Sequence, residues 1–365
     1  MRVLHVYGGN RYGGVERMLA GLARYARLAP ELQQEFALCY DARLGEELRA
    51  AGARVHVLGG VRSSRPWQVR GGRQRLAGLL ASGRYDTAVC HAWWPLAVFA
   101  PAVRRQSVRL GLWQHNLVQG RHWLQGWAAR HRPDYAVALG PFMGTTLSRM
   151  FAGMEARVWA PPIPAPMRLG EGERTALRAG LGAGPETVAI LLASRLEAWK
   201  GHRLLLESLA RLEGALPWTA WIAGGAQGRQ EQHYAERLRA EGERLGLGGR
   251  VHWLGERNDV DRLMAAADLY CQPNTGPEPF GMVFAEAMAA GLPVITTEGG
   301  GPDDFLPDEC GERCRADAGA IAERLRGLIT QPERREAMGQ AARARAAEVF
   351  EPAARMRALA GVLQA

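Results

Sequence analysis

The residues best suited to chemistry in this 365-residue chain lie in two short stretches of its second half. The first is Ser194-Arg195-Leu196-Glu197-Ala198-Trp199-Lys200-Gly201, directly after an apolar run. The chain has 46 Lys+Arg residues, and Lys200 is the single lysine among them. An ammonium is a compact, rotatable point charge with three donors, whereas a guanidinium is a wide planar fork. Arg binds phosphate in bidentate fashion and Lys binds it as a point charge. Two such cations five residues apart on one strand-to-helix loop can clamp a diphosphate and stabilise charge developing on a phosphate leaving group. A solvated loop that keeps its lysine by chance is the alternative. The second stretch runs Gly276-Pro277-Glu278-Pro279-Phe280-Gly281-Met282-Val283-Phe284-Ala285-Glu286 and on to Gly291-Leu292-Pro293-Val294. Gly281 opens and Gly291 closes an apolar helix that contains Glu286. A carboxylate among Met282, Val283, Ala285 and Ala287 is rarely buried without a partner, and ribose hydroxyls would satisfy it. Glu278 precedes it in a Pro-flanked loop where a sugar could dock, and the helix N-terminus adds positive potential for phosphate.

Two weaker constellations lie in the first half. Gly8-Gly9-Asn10-Arg11-Tyr12-Gly13-Gly14-Val15-Glu16 separates a strand from a helix. Its glycines permit close backbone approach, and the following helix offers free N–H groups to an anion. A simple tight turn is the other reading. The spacing is not G-x-G-x-x-G, and no acidic residue follows at the ribose-binding position, so a nicotinamide oxidoreductase is the least favoured class. Cys90-His91-Ala92-Trp93-Trp94 and Gln114-His115-Asn116 end two neighbouring strands. Each histidine could bond a substrate hydroxyl or shuttle a proton, or be structural.

These residues need elements to hold them. Strands are predicted near 2–7, 36–40, 54–58, 87–91, 110–115, 135–139 and 157–160, with helices between them. After Pro161-Pro162-Ile163-Pro164-Ala165-Pro166, a stiff non-helical segment, the alternation restarts. Strands are predicted at 187–193, 219–223, 251–254, 269–271 and 294–297, and helices at 202–213, 231–245, 259–266 and 281–290. From about 318 the chain reads as wholly helical. The pattern predicts α/β architecture: two doubly wound parallel sheets joined by a proline-rich hinge, with ligands outside the carboxyl ends of the strands.

Composition narrows the classes. A hydrophobic fraction of 47% supports real cores. The longest uncharged stretch, 88–103, contains His91, Pro95 and Pro101 and is too short to span a bilayer. The first residues lack the apolar region of a signal peptide. Cys39, Cys90, Cys271, Cys310 and Cys314 are scattered and read as buried thiols, not a disulfide framework or a zinc site. Residues 1–166 hold 22 Arg against 9 Asp+Glu, a net of +13, and seven of the eleven tryptophans. The remainder nets −4. A basic, tryptophan-rich half can approach an anionic membrane surface; a coding bias toward arginine is the bland alternative.

The run Glu278-Pro279-Phe280-Gly281-x4-Glu286-Ala287-Met288-Ala289-x-Gly291-x-Pro293-Val294 resembles the signature of the retaining glycosyltransferases of family 4, which have the GT-B fold. Arg195 and Lys200 resemble that family's diphosphate pair, and Gly13-Gly14 its N-terminal glycine loop. The motifs 251–255, 267–269 and Gly299-Gly300-Gly301-Pro302 extend the resemblance over nearly the whole chain. It implies two Rossmann-like domains facing a central cleft: an acceptor-binding domain at 1–163, a nucleotide-sugar-binding domain at 167–345, and a helix at 346–365 crossing back to the first. It implies that Glu278 contacts the donor sugar, Glu286 the ribose, and Arg195 with Lys200 the diphosphate. His91 then stands beside the sugar, with His115, Phe280 and Gly281 among the substrate contacts. Transfer would proceed with retention, without metal or cofactor, from a UDP- or GDP-sugar to a glycan or lipid-linked acceptor. Nucleic acid is not an expected partner. The expected place is the cytoplasm, at the inner face of the membrane if the basic half meets lipid. Two departures stand out. Asp303 and Asp304 compete for the place of a family Glu, and Pro161-Pro162-Ile163 replaces the usual interdomain Asn-Gly. A sugar-nucleotide epimerase is an alternative, and mass spectrometry of donor incubated without acceptor would separate it. A non-catalytic nucleotide-sugar-binding scaffold is another.

Overall fold

The structure, a computed structural model, describes residues 1–9, 12–120, 122–226 and 228–364. Asn10 and Arg11 of the first glycine loop lie outside them. The chain forms two units. One is Met1–Pro162 together with the chain from Phe350 on, and the other is Ile163–Val349. The division falls inside the proline-rich segment, which carries neither helix nor strand.

The first unit holds a seven-stranded parallel sheet built from β1 (Arg2–Tyr7), β2 (Gln33–Leu38), β3 (Arg54–Val57), β4 (Thr87–His91), β5 (Arg109–Trp113), β6 (Tyr135–Ala138) and β7 (Ala156–Val158). Their order across the sheet is β3-β2-β1-β4-β5-β6-β7. The second unit holds six parallel strands: β8 (Val188–Ala193), β9 (Trp218–Ala223), β10 (Val251–Gly255), β11 (Leu269–Gln272), β12 (Val294–Thr297) and β13 (Gly311–Cys314), in the order β10-β9-β8-β11-β12-β13. Parallel sheets are covered by helices on both faces, so their central strands read as unbroken apolar runs. β8 shows this: all six of its residues, Val-Ala-Ile-Leu-Leu-Ala, are buried. The five cysteines are all buried and unpaired.

This topology decides where chemistry can sit. In each sheet the chain starts in the middle, winds to one edge, then returns to build the other side. The strand order therefore reverses between β1 and β4 in the first unit and between β8 and β11 in the second. At such a switch point the connections leave in opposite directions and open a crevice at the strands' carboxyl ends.

Two elements escape the sequence pattern. Arg178 is the one buried residue of helix Glu171–Gly180, which docks through that arginine instead of an apolar stripe. Arg178 donates to Asp268 Oδ2 at 2.8 Å and to the carbonyls of Ala266, Gly184 and Thr187 at 2.9, 3.2 and 2.6 Å. β13, Gly-Glu-Arg-Cys, has no apolar run; it is an edge strand held by its register with β12, Val294↔Gly311 to Thr297↔Cys314.

The chain's return to the first unit begins at Phe350 rather than 346, because residue 346 lies within the unbroken helix Pro332–Phe350. The last helix, Pro352–Gln364, buries Met356, Leu359, Ala360 and Leu363. Arg157 Nη1 donates to the Val362 carbonyl at 2.7 Å and Trp159 Nε1 to the Arg355 carbonyl at 2.8 Å. The first of these satisfies a carbonyl in the last turn of the helix, which has no partner within it.

Candidate functional site

The second unit places its chemistry on the two loops that leave its switch point. After β8 the chain runs through Ser194 and Arg195 into a single 3₁₀ turn, Ala198–Lys200. That turn ends on Gly201, in the left-handed region at φ +80°. A Cβ at Gly201 would sit 1.7 Å from the Pro273 carbonyl oxygen. Only glycine therefore lets the loop after β8 press against the loop after β11, and this close approach aims Lys200 at Glu278. The Lys200 ammonium lies 2.6 Å from Glu278 Oε2 and 4.0 Å from the centroid of the Trp199 ring. Both charged side chains are largely buried, at 14% and 8% exposure.

Glu278 has a second donor, Asn274 Nδ2 at 3.2 Å. Asn274 Oδ1 accepts from Gln272 Nε2 at 2.9 Å, and Gln272 Oε1 accepts from the Tyr270 hydroxyl at 2.6 Å. Tyr270, Gln272 and Asn274 thus form a buried polar file along β11 that leads to the carboxylate. Burial pushes the Tyr270 hydroxyl well above its usual range, and the charges of Glu278 and Glu286 add to the shift, so it remains a donor. Gln272 and Asn274 were missed by the sequence reading, although polar residues at alternate positions at the end of a buried strand were the available signal. The Glu278 main chain is also fixed: its carbonyl accepts from Gly301 N at 2.7 Å.

Arg195, five residues before Lys200, is held by Glu197 at 2.8 Å and lies 3.9 Å from Glu231. Glu286 is 8% exposed within helix Met282–Ala290, between residues that are fully buried. Gly281 caps that helix at φ +86° and Gly291 closes it at φ +80°, the boundaries expected from the sequence. Phe280 is buried, with its ring centroid 5.1 Å from that of Phe305. Of the two competing aspartates, Asp303 accepts from Gly299 N and Gly300 N at 2.8 and 3.2 Å and so braces the glycine loop.

The first unit has a different set at its own switch point. Gly13 is the N-cap of helix Gly14–Arg24, with extended backbone at φ −172°. Glu16, in the first turn, is buried and accepts from the Tyr7 hydroxyl at 2.6 Å. Across the switch, His91 ends β4. The next residue, Ala92, adopts φ 77°, ψ 177° to turn the chain into helix Trp93–Val103. That conformation is disfavoured for any side-chain-bearing residue and concentrates at functional sites.

His91 is fully buried, and both of its ring nitrogens are engaged by other histidines. His91 Nε2 lies 2.9 Å from His5 Nδ1, and His91 Nδ1 lies 2.9 Å from His115 Nε2. His5 Nε2 contacts Gln34 Oε1 at 3.1 Å. The sequence reading found His91 and His115 but missed His5, whose signal was a histidine in the middle of an otherwise apolar strand. Burial lowers His5 to about 4 and His115 to about 3. Burial, with His5 and His115 as neighbours, takes His91 well below its ordinary value. The rings are neutral hydrogen-bonding groups at physiological pH. They run in a line, and among the described residues no cluster of His, Cys, Asp or Glu is arranged to hold a metal ion.

Residues 173–345 match the family described as glycosyl transferases group 1. A D-inositol 3-phosphate glycosyltransferase from Segniliparus rotundus is 27% identical over 303 residues, covering 67% of this chain and 65% of that protein. The lipopolysaccharide core biosynthesis glycosyltransferase LpsE of Rhizobium meliloti is 31% identical over 131 residues, 36% of each chain. These matches span less than two thirds of the relatives' own lengths. Among solved structures, Anabaena Alr3699/HepE in complex with UDP and glucose is similar over 100% of this chain and 99% of its own, with a TM-score of 0.86 and 25% identity. WaaG, a glycosyltransferase involved in lipopolysaccharide biosynthesis, is similar over 100% of both chains, with a TM-score of 0.74 and 18% identity.

Proposed function

We propose that this chain, whose residues 173–345 match the glycosyl transferases group 1 family, is a retaining, family 4-type transferase. It moves a hexose-type sugar from a UDP- or GDP-sugar to a glycan or lipid-linked acceptor in polysaccharide or glycoconjugate biosynthesis. The observation that carries this reading is the Lys200–Glu278 contact at 2.6 Å, at the switch point of the second unit. HepE, whose fold this chain shares, has structures with UDP, with UDP and glucose, and with UDP-glucose, which supports a nucleotide-sugar donor.

In this reading the ion pairs are exchanged on binding. Lys200 and Arg195 give up Glu278 and Glu197 for phosphate oxygens, and Glu278 then accepts a hydroxyl of the donor sugar. Glu286 holds ribose hydroxyls beneath the helix that begins at Gly281, with Phe280 shaping the loop between them. Gly13 and Gly14 let ligand approach the first unit closely, and His91 serves the sugar side through His115, since both of its own ring nitrogens are engaged. As the bond from the anomeric carbon to the leaving phosphate oxygen breaks, the acceptor oxygen bonds to the same face of that carbon. The acceptor's proton passes to the leaving phosphate. Two cations neutralise the charge gathering on the diphosphate, so the reading includes neither a metal nor a cofactor. A thermal-shift panel of UDP-, GDP- and ADP-sugars tests it. One nucleotide class should raise the melting temperature, since ligand at about 100 times its Kd adds about 2.7 kcal/mol. No response to any of them would sink the reading.

The same proposal places the protein in the cytoplasm, peripheral on the inner face of the membrane. No helix among the described residues is long and apolar enough to cross a bilayer. The first 166 residues carry 22 arginines against 9 acidic groups, and Trp67 and Trp123 are 68% and 63% exposed. Trp123 stacks on Trp127 at 6.3 Å. Such side chains suit the headgroup layer of anionic lipid. Flotation with anionic liposomes at low salt should carry the protein upward, and its absence from the floating fraction would remove the membrane from the proposal.

A further inference from the structure

We propose that Tyr270, Gln272 and Asn274 are positioning residues of the second unit. Together they form a one-way file of hydrogen bonds that keeps Glu278 tethered by Oε2 when Lys200 moves to phosphate, leaving Oε1 as the oxygen offered to ligand. The ligand comes from the transferase reading above; the tether itself does not depend on it. Tyr270 and Gln272 alternate along β11 and so share one face of it, and Asn274 follows two residues on. The three are 0, 0 and 3% exposed, while Leu269 and Cys271, at the intervening positions of the strand, are apolar and equally buried. Polar side chains survive at such depth only when their partners are supplied. Here each supplies the next.

The direction of the file follows from its last member. A carboxylate only accepts, whereas an amide has one donating and one accepting end. Asn274 must therefore turn Nδ2 to Glu278 Oε2, at 3.2 Å, and Oδ1 to Gln272. Gln272 must then donate through Nε2, at 2.9 Å, and turn Oε1 to Tyr270, whose hydroxyl donates at 2.6 Å. Turning either amide over sets acceptor against acceptor or donor against donor. The supports are equally fixed. The Tyr270 ring stands edge-on to Phe284 with centroids 5.6 Å apart. The Thr296 hydroxyl donates to the Gln272 carbonyl at 3.0 Å and the Thr297 hydroxyl to the Asn274 carbonyl at 2.7 Å. Lys200 differs in kind, since its ammonium rides on a flexible four-carbon stem. Both donors meet the same oxygen, Glu278 Oε2. Glu278 thus has one donor that can leave and one that cannot, and the departure of Lys200 does not set the carboxylate free to rotate.

The test is a pair of titrations, nucleotide sugar against its nucleoside diphosphate, into wild type, Asn274→Leu and Gln272→Met. UDP-glucose with UDP and GDP-glucose with GDP are the probes. Asn274→Leu should weaken the nucleotide sugar about tenfold, the weight of one hydrogen bond to a charged group. It should leave the diphosphate unchanged, because Arg195 and Lys200 are untouched. Gln272→Met, which leaves the Asn274 amide in place but free to turn, should show the same split with a smaller loss. Equal affinity of all three proteins for the sugar would overturn the proposal. So would a parallel loss of sugar and diphosphate, the mark of a merely distorted loop. Urea midpoints supply an arm that needs no ligand. Lys200→Met and Asn274→Leu each leave Oε2 one donor, and the double variant leaves none, so it should lose more stability than the two single losses added. A simple sum would overturn the tether. If no nucleotide sugar binds the wild type, the transferase reading fails, while this cycle still decides whether the file holds Glu278.

Discussion

Lys200→Met should lower turnover by about 10²–10³-fold, the cost typical of removing one preorganised charge-stabilising donor from an active site. It should also lower the stability of the second unit. The methionine keeps the unbranched apolar stem of lysine without its ammonium, and leaves Glu278 nearly buried with Asn274 as its remaining donor. Removing one partner of a buried pair costs about 3–5 kcal/mol. The 14% exposure of Lys200 lets some water in, so about 2–3 kcal/mol is expected here. The two losses separate in the double variant Lys200→Met/Glu278→Gln. It removes the orphaned charge, so stability should largely return while turnover does not. Lys200→Arg keeps the charge but replaces the point cation with a planar fork. In a turn fixed by Gly201 against Pro273, the larger group cannot occupy the same place, and turnover should fall at least about tenfold. Steady-state rates and urea midpoints for these three variants check the prediction. A fully active Lys200→Arg would show that the shape of the cation is irrelevant.

The second large effect is acid sensitivity of the first unit. His5 and His115 titrate near 4 and near 3 in the folded protein, with His91 well below its ordinary value, while an unfolded histidine titrates near 6.5. Between those values the unfolded chain binds more protons than the folded one. Stability is therefore full above about pH 6.5 and falls as pH drops through 6.5 toward the folded values. Each ring contributes about 1.36 kcal/mol per pH unit. Three rings lose roughly 5 kcal/mol between pH 6.5 and 5, a large share of a typical domain's stability. Glu35 does not blur this window. Burial pushes its carboxyl up, but hydrogen bonds from Tyr85, His56 and Arg2 outweigh burial and hold it at about 2. Its stabilisation is present above about pH 4.5 and lost only as pH falls from there toward 2. Urea midpoints from pH 7 to 5 should therefore fall steeply, with His202 of the second unit, which burial also lowers to about 4, adding to the fall, and His5→Phe should flatten the curve. A midpoint that does not change over that range would mean that the rings are charged or solvated in the folded state.

How much of this was legible beforehand differs by kind of residue. The lone lysine, the Pro-flanked Glu278 and the glycine-bounded helix around Glu286 could be read because each breaks its local composition. The proline run marked the boundary between the units for the same reason. What could not be read was pairing across elements. Lys200 and Glu278 are 78 residues apart, and nothing local says that the two charges meet instead of facing ligand separately. Gln272 and Asn274 look like ordinary strand-end polars until the file from Tyr270 to Glu278 is assembled. His5 looks like a core anomaly until β1 is placed beside β4, which the chain reaches only 86 residues later. Helix Glu171–Gly180 lacks a buried apolar stripe because one buried arginine does the docking, and β13 lacks an apolar run because its buried positions are Gly311, Glu312 and Cys314, the glutamate being met by Arg324 and Arg334 at 3.3 and 2.7 Å.

The central claim is that Lys200 holds the donor's diphosphate. Titration calorimetry of the nucleoside diphosphate identified by the thermal-shift panel, into wild type and into Lys200→Met/Glu278→Gln, tests it most directly, because the double variant leaves no orphaned charge and should retain the fold. The account predicts saturable binding to the wild type and at least about a tenfold loss in the variant, the weight of one charge-assisted hydrogen bond. Equal affinity for the two proteins would contradict it.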